Sequence, residues 1–321
     1  MKRLQQSEAY ITVKDHKEEF PANPKFRLIN PSKTDIGRVS KVILDKINTG
    51  LIEKLKVNQW KSSKAVINWF KGIKDKHRCS FLKFDVDNFY PSITIELFTK
   101  AIEFARRHVQ VTDEELRIVM QARKTLLYHN GEPWTKKSDE TDFDVPMGSY
   151  DGAELCELVG AFMLTEISKV IEQADIGLYR DDGLGVMRRI GKPEIERRKK
   201  KIIQIFKQHK LSITVSSGMT SVDYLDLEFD LKRKIYSPYK KPNSEPLYVH
   251  KDSNHPPSVL RQIPNGIARR LSDTSANKEI FDKAAPEYEQ ALQNSGFKVK
   301  LEYIPERVRS CLLYTSPSPR D

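Results

Sequence analysis

Three aspartates in two short acidic motifs are the residues of this sequence whose types and spacing suggest chemistry. Asp85 lies in FDVDNFY, residues 84–90, and Asp181 and Asp182 lie in YRDDG, residues 179–183. Asp-Asp-Gly is also ordinary turn chemistry, and a single aspartate after a strand is an ordinary loop acid. Neither motif identifies a site alone, so the interpretation depends on whether the fold brings the two together.

A metal site follows if the two motifs are neighbours in one sheet, because Asp85 and Asp181 then project from the same edge. Carboxylates a few ångströms apart repel, and one normally keeps its proton unless a cation supplies positive charge. Oxygen ligands favour Mg²⁺ or Mn²⁺. Two such ions ~4 Å apart activate an attacking hydroxyl and stabilise the leaving oxygen in phosphoryl transfer. The expected cofactor is therefore two Mg²⁺ ions, with Mn²⁺ as the alternative.

The elements that must position these acids form an α+β pattern, with helices covering an antiparallel sheet. Period-2 patterns and turn residues predict strands at 10–13, 26–29, 81–86, 176–179, 184–187 and 225–231, and a hairpin at Asn130-Gly131. Helical spacing predicts helices at 39–47, 63–73, 94–108, 112–124 and 153–171, and a basic helix around 195–206. The expected N-terminal caps are Ser63, Thr112 in a capping box with Glu115, and Asp151.

Length, composition and charge limit the class of protein. A chain of 321 residues with 38% hydrophobic residues is long enough for about two domains and can bury a core. Its three cysteines have no paired spacing, its start lacks the apolar middle of a signal peptide, and no apolar run reaches a span of ~18–20 residues. We therefore expect an intracellular protein, nuclear or cytoplasmic, with no membrane partner. A net charge of +11 suits a polyanionic partner.

The last residues need separate treatment. Residues 311–321, CLLYTSPSPRD, look like the translation of a sequencing adapter, and the alternative is a flexible Ser/Pro tail. We exclude them from fold reasoning. The adapter interpretation, together with a strand that begins by residue 10, suggests a fragment of a longer protein.

The two acidic motifs, in this order and separation, resemble motifs A and C of reverse transcriptases. The resemblance implies a right-hand polymerase fold with fingers, palm and partial thumb. It assigns Asp85, Asp181 and Asp182 to a metal-binding catalytic triad and the Val86 carbonyl to a backbone metal ligand. Tyr90 falls at the family's steric-gate position, where an aromatic ring crowds a ribose 2′-OH and selects deoxynucleotides.

Further segments match in the expected order. VPMGS, residues 145–149, resembles motif B, in which Gly148 lets the backbone approach the nascent base pair, although the family's usual Gln is here Met147. The basic segments around Lys14 and Arg27 resemble the fingers motifs that hold the incoming triphosphate. A guanidinium such as that of Arg27 grips phosphate oxygens through a fixed fork.

The resemblance also divides the chain. It implies fingers at 1–80, a palm at 81–235 with a finger-type insertion at about 100–145, and a thumb-like region at 236–310. YLD at 224–226, SNHPP at 253–257 and KDHK at 14–17 resemble segments of Penelope-like retroelement polymerases. The implied partners are an RNA template, a DNA or RNA primer and deoxynucleoside triphosphates, while the oligomeric state is left open.

Three functions remain open from the sequence. The leading one is an RNA-directed DNA polymerase, a nucleotidyltransferase of a retroelement. An RNA-templated RNA polymerase would use the same palm, but such enzymes usually have a small or acidic residue where this chain has Tyr90. A catalytically inactive nucleic-acid-binding fragment would bind template in a salt-sensitive way without extending a primer.

Overall fold

The computed structural model describes residues 8–13, 20–31, 33–124, 127–134, 143–241 and 246–306. The chain divides into two compact units, each made of two separate stretches of sequence. Unit 1 comprises Met1–Lys61 and Arg78–Met219, and unit 2 comprises Ser62–His77 and Thr220–Asp321. The division into fingers, palm and thumb stays a prediction.

Helices and strands follow one another in mixed order along the described ranges. The strands are β1 Tyr10–Val13, β2 Phe26–Ile29, β3 Asn58–Gln59, β4 Cys79–Val86, β5 Leu127–His129, β6 Glu132–Trp134, β7 Ile176–Tyr179, β8 Asp182–Arg188, β9 Ile213–Met219, β10 Ser221–Tyr224, β11 Leu227–Asp230 and β12 Ile235–Pro238. The helices are α1 Asp35–Leu55, α2 Ser63–Gly72, α3 Phe89–Ser92, α4 Ile95–Arg106, α5 Asp113–Ala122, α6 Gly152–Ile167, α7 Lys192–Gln208, α8 Pro257–Thr274 and α9 Lys278–Asn294. None of the helices described is both long and apolar enough to cross a bilayer.

Unit 1 is built on a five-stranded sheet in the order β3-β7-β8-β4-β9. Strand β4, which carries Asp85 near its end, lies between β8 and β9 and pairs antiparallel with both. We expected an antiparallel sheet. The short edge strand β3 pairs parallel with β7, so the sheet is mixed. Strands β1 and β2 form a separate two-stranded ribbon, as do β5 and β6.

Alternation along β4 explains how the sheet presents an acid at its end. Leu82, Phe84 and Val86 point into the core of unit 1, where helix α6 is apolar on nearly every side. The Phe84 ring lies 5.4 Å from that of Phe206 in α7. Burying each such side chain contributes about 1.5–3 kcal/mol, so β4 cannot slip by one residue without losing these contacts. Asp85 therefore lies on the opposite, solvent-exposed side.

Local cap chemistry is partly as expected. The capping box between Thr112 and Glu115 is confirmed at the start of α5, and Asn130-Gly131 makes the β5–β6 turn. The cap of α2 is Ser62, one residue before the predicted Ser63. Asp151 is the N-cap residue of α6, as predicted, but its side chain makes no cap hydrogen bond to the helix.

Unit 2 contains a three-stranded antiparallel sheet in the order β10-β11-β12. The predicted single strand at 225–231 is wrong at its start, because Leu225 adopts φ 57° in the turn between β10 and β11. Its alternation is correct within β11, where Leu227 and Phe229 are buried and the Phe229 ring lies 4.9 Å from that of Phe70 in α2. Helices α8 and α9 pack on each other around Leu271, among other residues.

Candidate active site

The acidic motifs meet at one end of the central sheet. In the register of β4 and β8, Asp85 lies directly opposite Asp182. Cross-strand partners in an antiparallel pair point to the same face with Cβ atoms ~5 Å apart. Two aspartates that are 97 positions apart in the chain are therefore neighbours, although the sequence analysis expected Asp181, not Asp182, beside Asp85.

The third acid lies in the tight turn that joins β7 to β8. This turn consists of Arg180 and Asp181, because Tyr179 already pairs with Asp182. The strands predicted at 176–179 and 184–187 left a four-residue gap, which the structure shortens because β8 already begins at Asp182. Arg180 adopts φ 55°, and the amide of Val86 donates a hydrogen bond of 3.0 Å to the carbonyl of Asp181. That bond joins the end of β4 to the turn.

Gly183 allows the two acidic strands to pair closely. It lies opposite Phe84 in the register, and a Cβ at this position would overlap the Phe84 ring. The ring therefore occupies the space that any larger residue at 183 would fill. The glycine of the YRDDG motif therefore has a packing role. It allows β8, the strand that carries Asp182, to pair closely with β4.

Tyr90 lies beside this turn. It belongs to the short helix α3, which follows β4 through Asn88 at φ 48°. Its Cε1 atom lies 3.5 Å from where a Cβ of Gly152 in α6 would be. Burial raises the pKa of the Tyr90 hydroxyl, with further contributions from Cys156 and Asp181. The phenol therefore stays neutral over the ordinary pH range.

The segment 145–151 before α6, which contains Gly148 and is called the glycine loop below, contacts the end of strand β2. The amide of Asn30 donates to the carbonyl of Met147 at 2.9 Å, and Gly148 adopts φ 106°. A Cβ on Gly148 would lie 3.1 Å from both the Asn30 carbonyl oxygen and Cγ2 of Ile29. Left-handed φ and close backbone approach are the reasons for glycine here that are visible in the structure. The approach of a base pair to Gly148 stays a prediction.

Of the two predicted triphosphate ligands, one can be placed. Arg27 is exposed in β2, opposite Thr12 of β1. It shares a strand face with Ile29, the residue that contacts Gly148, because alternate residues point the same way. Lys14 lies outside the described residues.

The donor chemistry at the sheet end suits Mg²⁺, which is commonly held by one or two carboxylates together with substrate phosphates. Asp85 and Asp182 supply a facing pair of carboxylates. Over the described ranges, however, no group of three His, Cys, Asp or Glu side chains is close enough to hold a metal ion. A preassembled three-carboxylate ligand set is thus not present there. The roles of Asp181 and of the Val86 carbonyl as ligands stay predictions.

Two arrangements around the site were not anticipated. Asp87 accepts hydrogen bonds from Ser212 Oγ at 2.8 Å and Thr214 Oγ1 at 3.5 Å, which secures β9 beside β4. Asp151 forms a buried ion pair with Arg123, 28 positions away. Strand β9 itself was missed, since its residues alternate between exposed and half-buried without a clear apolar face.

Comparison with known proteins shows the fold. No protein-family model and no curated protein matches the chain. Among solved structures, the RNA-dependent RNA polymerase of a human picobirnavirus aligns with TM-score 0.55 at 13% identity, over 84% of this chain and 57% of that one. Candida albicans telomerase, in complex with a fragment of telomeric RNA, aligns with TM-score 0.56 at 11% identity, over 84% and 51%. Apo telomerase of Candida tropicalis aligns with TM-score 0.53 at 13% identity, over 92% and 58%.

The chain therefore has a polymerase fold, shared with viral RNA-dependent RNA polymerases and with telomerase. It spans between 51% and 58% of the length of these three structures. At identities of 11–13% the likeness concerns the fold, and the template and product are matters for proposal.

Proposed function

We propose that this chain is the polymerase region of an RNA-directed DNA polymerase from a retroelement. The observation that carries the proposal is the register that sets Asp85 opposite Asp182 beside the Asp181 turn, in a chain with a polymerase fold. Assignment to the Penelope-like group is part of the proposal and rests on the sequence resemblance. The partners are an RNA template, a DNA or RNA primer and deoxynucleoside triphosphates.

In this proposal Asp85, Asp181 and Asp182, with the Val86 carbonyl, hold two Mg²⁺ ions. Such ions, when bound, activate the primer 3′-hydroxyl and stabilise the leaving pyrophosphate oxygen. The protein's contribution is to keep the carboxylates of Asp85 and Asp182 on one face at the end of the sheet before substrate arrives. This preorganisation avoids reorganising the site during the reaction.

The remaining residues position the nucleotide. Arg27 on β2, with Lys14, binds the triphosphate through charge-assisted hydrogen bonds. The Tyr90 ring faces the sugar and leaves no room for a 2′-OH. Gly148 has no Cβ, so the new base pair can lie close to the backbone of the loop before α6. Each role carries over from the motif resemblance to a residue whose place in unit 1 is compatible with it, apart from Lys14.

The closest competing function is RNA-templated RNA synthesis, which the likeness to the picobirnavirus enzyme favours. Tyr90 separates the two functions. If the ring excludes ribonucleotides, Tyr90→Ala raises the kcat/KM for ribonucleotides at least tenfold, since a hydrophobic wall next to the sugar is removed. An RNA polymerase would show efficient ribonucleotide use in the parent and little change in the variant.

Primer extension on an RNA template tests the proposal. The parent extends with deoxynucleotides and Mg²⁺ and stops when EDTA is added, whereas Asp181→Asn loses extension. Asp223→Asn is the matched control, because Asp223 is an exposed hairpin aspartate in unit 2 with no role in the proposed site. Equal extension by the parent and Asp181→Asn would reject the site. Salt-sensitive template binding without any extension would instead indicate the inactive nucleic-acid-binding alternative.

A further inference from the structure

A buried ion pair lies behind the glycine loop, and the proposed chemistry does not use it. Arg123, directly after α5, pairs with Asp151, and the two side chains are 1% and 0% exposed. Ser40 of α1 donates from Oγ to Asp151 Oδ2 at 2.5 Å. Within the described part of the chain, Nε and Nη1 of Arg123 have no hydrogen-bond partner. A buried guanidinium that is only partly satisfied requires an explanation.

Stability alone does not explain the pair. Removing two charges from water costs several kcal/mol per ion, and their attraction repays this only when the hydrogen bonding is complete. Replacing a buried ion pair by apolar residues of similar volume is often neutral or stabilising. The hydrogen bonding of this pair is incomplete among the described residues, because Nε and Nη1 of Arg123 have no partner there. The pair is therefore better explained by the position that it imposes on the chain.

Arg123 holds both ends of the segment that contains the glycine loop. Its carbonyl accepts a hydrogen bond of 3.0 Å from the amide of Asp144, and its side chain holds Asp151. Between these points the loop is attached to β2 through Asn30 and Met147. The segment is thus fixed at its start, middle and end, and only the last point depends on side-chain charge.

The end of this segment sets the position of the first turn of α6. Asp151 immediately precedes Gly152, and the Tyr90 ring lies against Gly152. The carbonyl of Pro146 is 3.3 Å from where a Cβ of Gly152 would be, so the space around this turn is already filled. A small displacement of the first turn of α6 would therefore move the surface on which the Tyr90 ring rests.

We propose that Arg123 and Asp151 are positioning residues that hold the first turn of α6 against Tyr90 and thereby set the discrimination between deoxy- and ribonucleotides. This inference rests on the proposed function of Tyr90 as the sugar gate. Neither residue touches the substrate in this account, because both are enclosed in the core. Their effect passes through Gly152 to the ring.

The double variant Arg123→Met/Asp151→Leu tests the inference, because it removes both charges without leaving either buried and unpaired. We measure thermal unfolding and single-nucleotide kcat/KM for deoxy- and ribonucleotides. The midpoint of unfolding stays within a few degrees of the parent, and the deoxynucleotide kcat/KM stays within threefold. The ratio of the two kcat/KM values falls about tenfold, the scale of a pocket change of one methylene. Ser40→Ala keeps the ion pair and lowers the ratio two- to threefold.

The matched control is Arg188→Met/Asp175→Leu, which removes an Arg–Asp pair from unit 1 at the other end of β8. It leaves the ratio unchanged. A folded Arg123→Met/Asp151→Leu variant with the parent's ratio overturns the inference, and so does an equal fall in the control. If the double variant does not fold, an unchanged ratio in Ser40→Ala overturns it. The parent's own extension is measured first, since its absence contradicts the proposed function and removes the inference with it.

Discussion

The two ends of strand β8 carry charge in opposite ways. At one end Asp182 lies opposite Asp85, so two like charges are neighbours on one face of the sheet. At the other end Arg188 reaches Asp175, and its Nε and Nη2 each lie 2.5 Å from a carboxylate oxygen. One strand thus combines an unfavourable pair with a favourable one.

The difference separates function from stability. Like charges directly opposite in a sheet cost roughly 0.2–1 kcal/mol, whereas an Arg–carboxylate fork adds geometric specificity as well as energy. Two carboxylates on one face at the end of a strand suit a bound cation, because its positive charge favours the ionised form of both.

The largest expected effect is at the acidic end. Asp85→Asn lowers the extension rate by roughly 10³-fold, since it removes preorganised charge from the reacting centre. The same change alters the free energy of unfolding by less than ~0.5 kcal/mol, because Asp85 is exposed at the end of β4. Single-turnover extension and denaturant unfolding of the same preparation measure both. A variant that keeps a tenth of the activity, or that is destabilised by more than ~1 kcal/mol, would contradict the comparison.

The next effect concerns the packing that holds the acidic end together. Gly183→Ala lowers the free energy of unfolding by about 3 kcal/mol, because the new Cβ displaces the Phe84 ring from a filled core. Gly185→Ala is the matched change two residues along β8, where a Cβ would lie 3.1 Å from the Asp175 carbonyl oxygen. It costs about 1 kcal/mol. Urea unfolding of both variants gives the two values, and equal losses would refute the packing role of Phe84.

Among the three test variants, as distinct from their controls, the smallest effect is at the Arg188 end. Arg188→Met lowers the free energy of unfolding by about 2 kcal/mol, because it leaves the carboxylate of Asp175, 6% exposed, without its cation. The loss is below the full cost of breaking a buried pair, because Arg188 is 37% exposed. Primer extension by the folded variant stays within twofold of the parent. Arg189→Met, an exposed neighbour, changes stability by less than ~0.5 kcal/mol. A large loss of extension in Arg188→Met would remove the contrast between the two ends.

Features that depend on a few neighbouring residues were predicted well. The capping box of Thr112 and Glu115 needs only a spacing of three, and the Asn130-Gly131 hairpin needs only two residues able to adopt positive φ. Helix α1 was predicted too short, at 39–47 against Asp35–Leu55. Part of its surface faces solvent, so apolar spacing marks only its middle turns.

Features that depend on distant residues were not predictable in the same way. Asp151 has the residue type and place of a helix cap, yet its carboxylate lies with Arg123 and with Ser40, 111 positions earlier. Leu225 is a different case, because the turn that interrupts its period-2 pattern joins two neighbouring strands, β10 and β11, and is itself local. Only for Asp151 does a tertiary contact override the local preference.

The sequence by itself determined which residues could do chemistry, since the two acidic motifs, the aromatic at 90 and the glycine at 148 are readable from type and order. Only the tertiary structure decided that Asp85 pairs with Asp182 rather than with Asp181. It also decided that Arg123 and Asp151 form a buried ion pair at the start of α6. The physical reason is that short-range preferences act between residues a few bonds apart. Strand register and buried charge pairs depend instead on the whole path of the chain between their members.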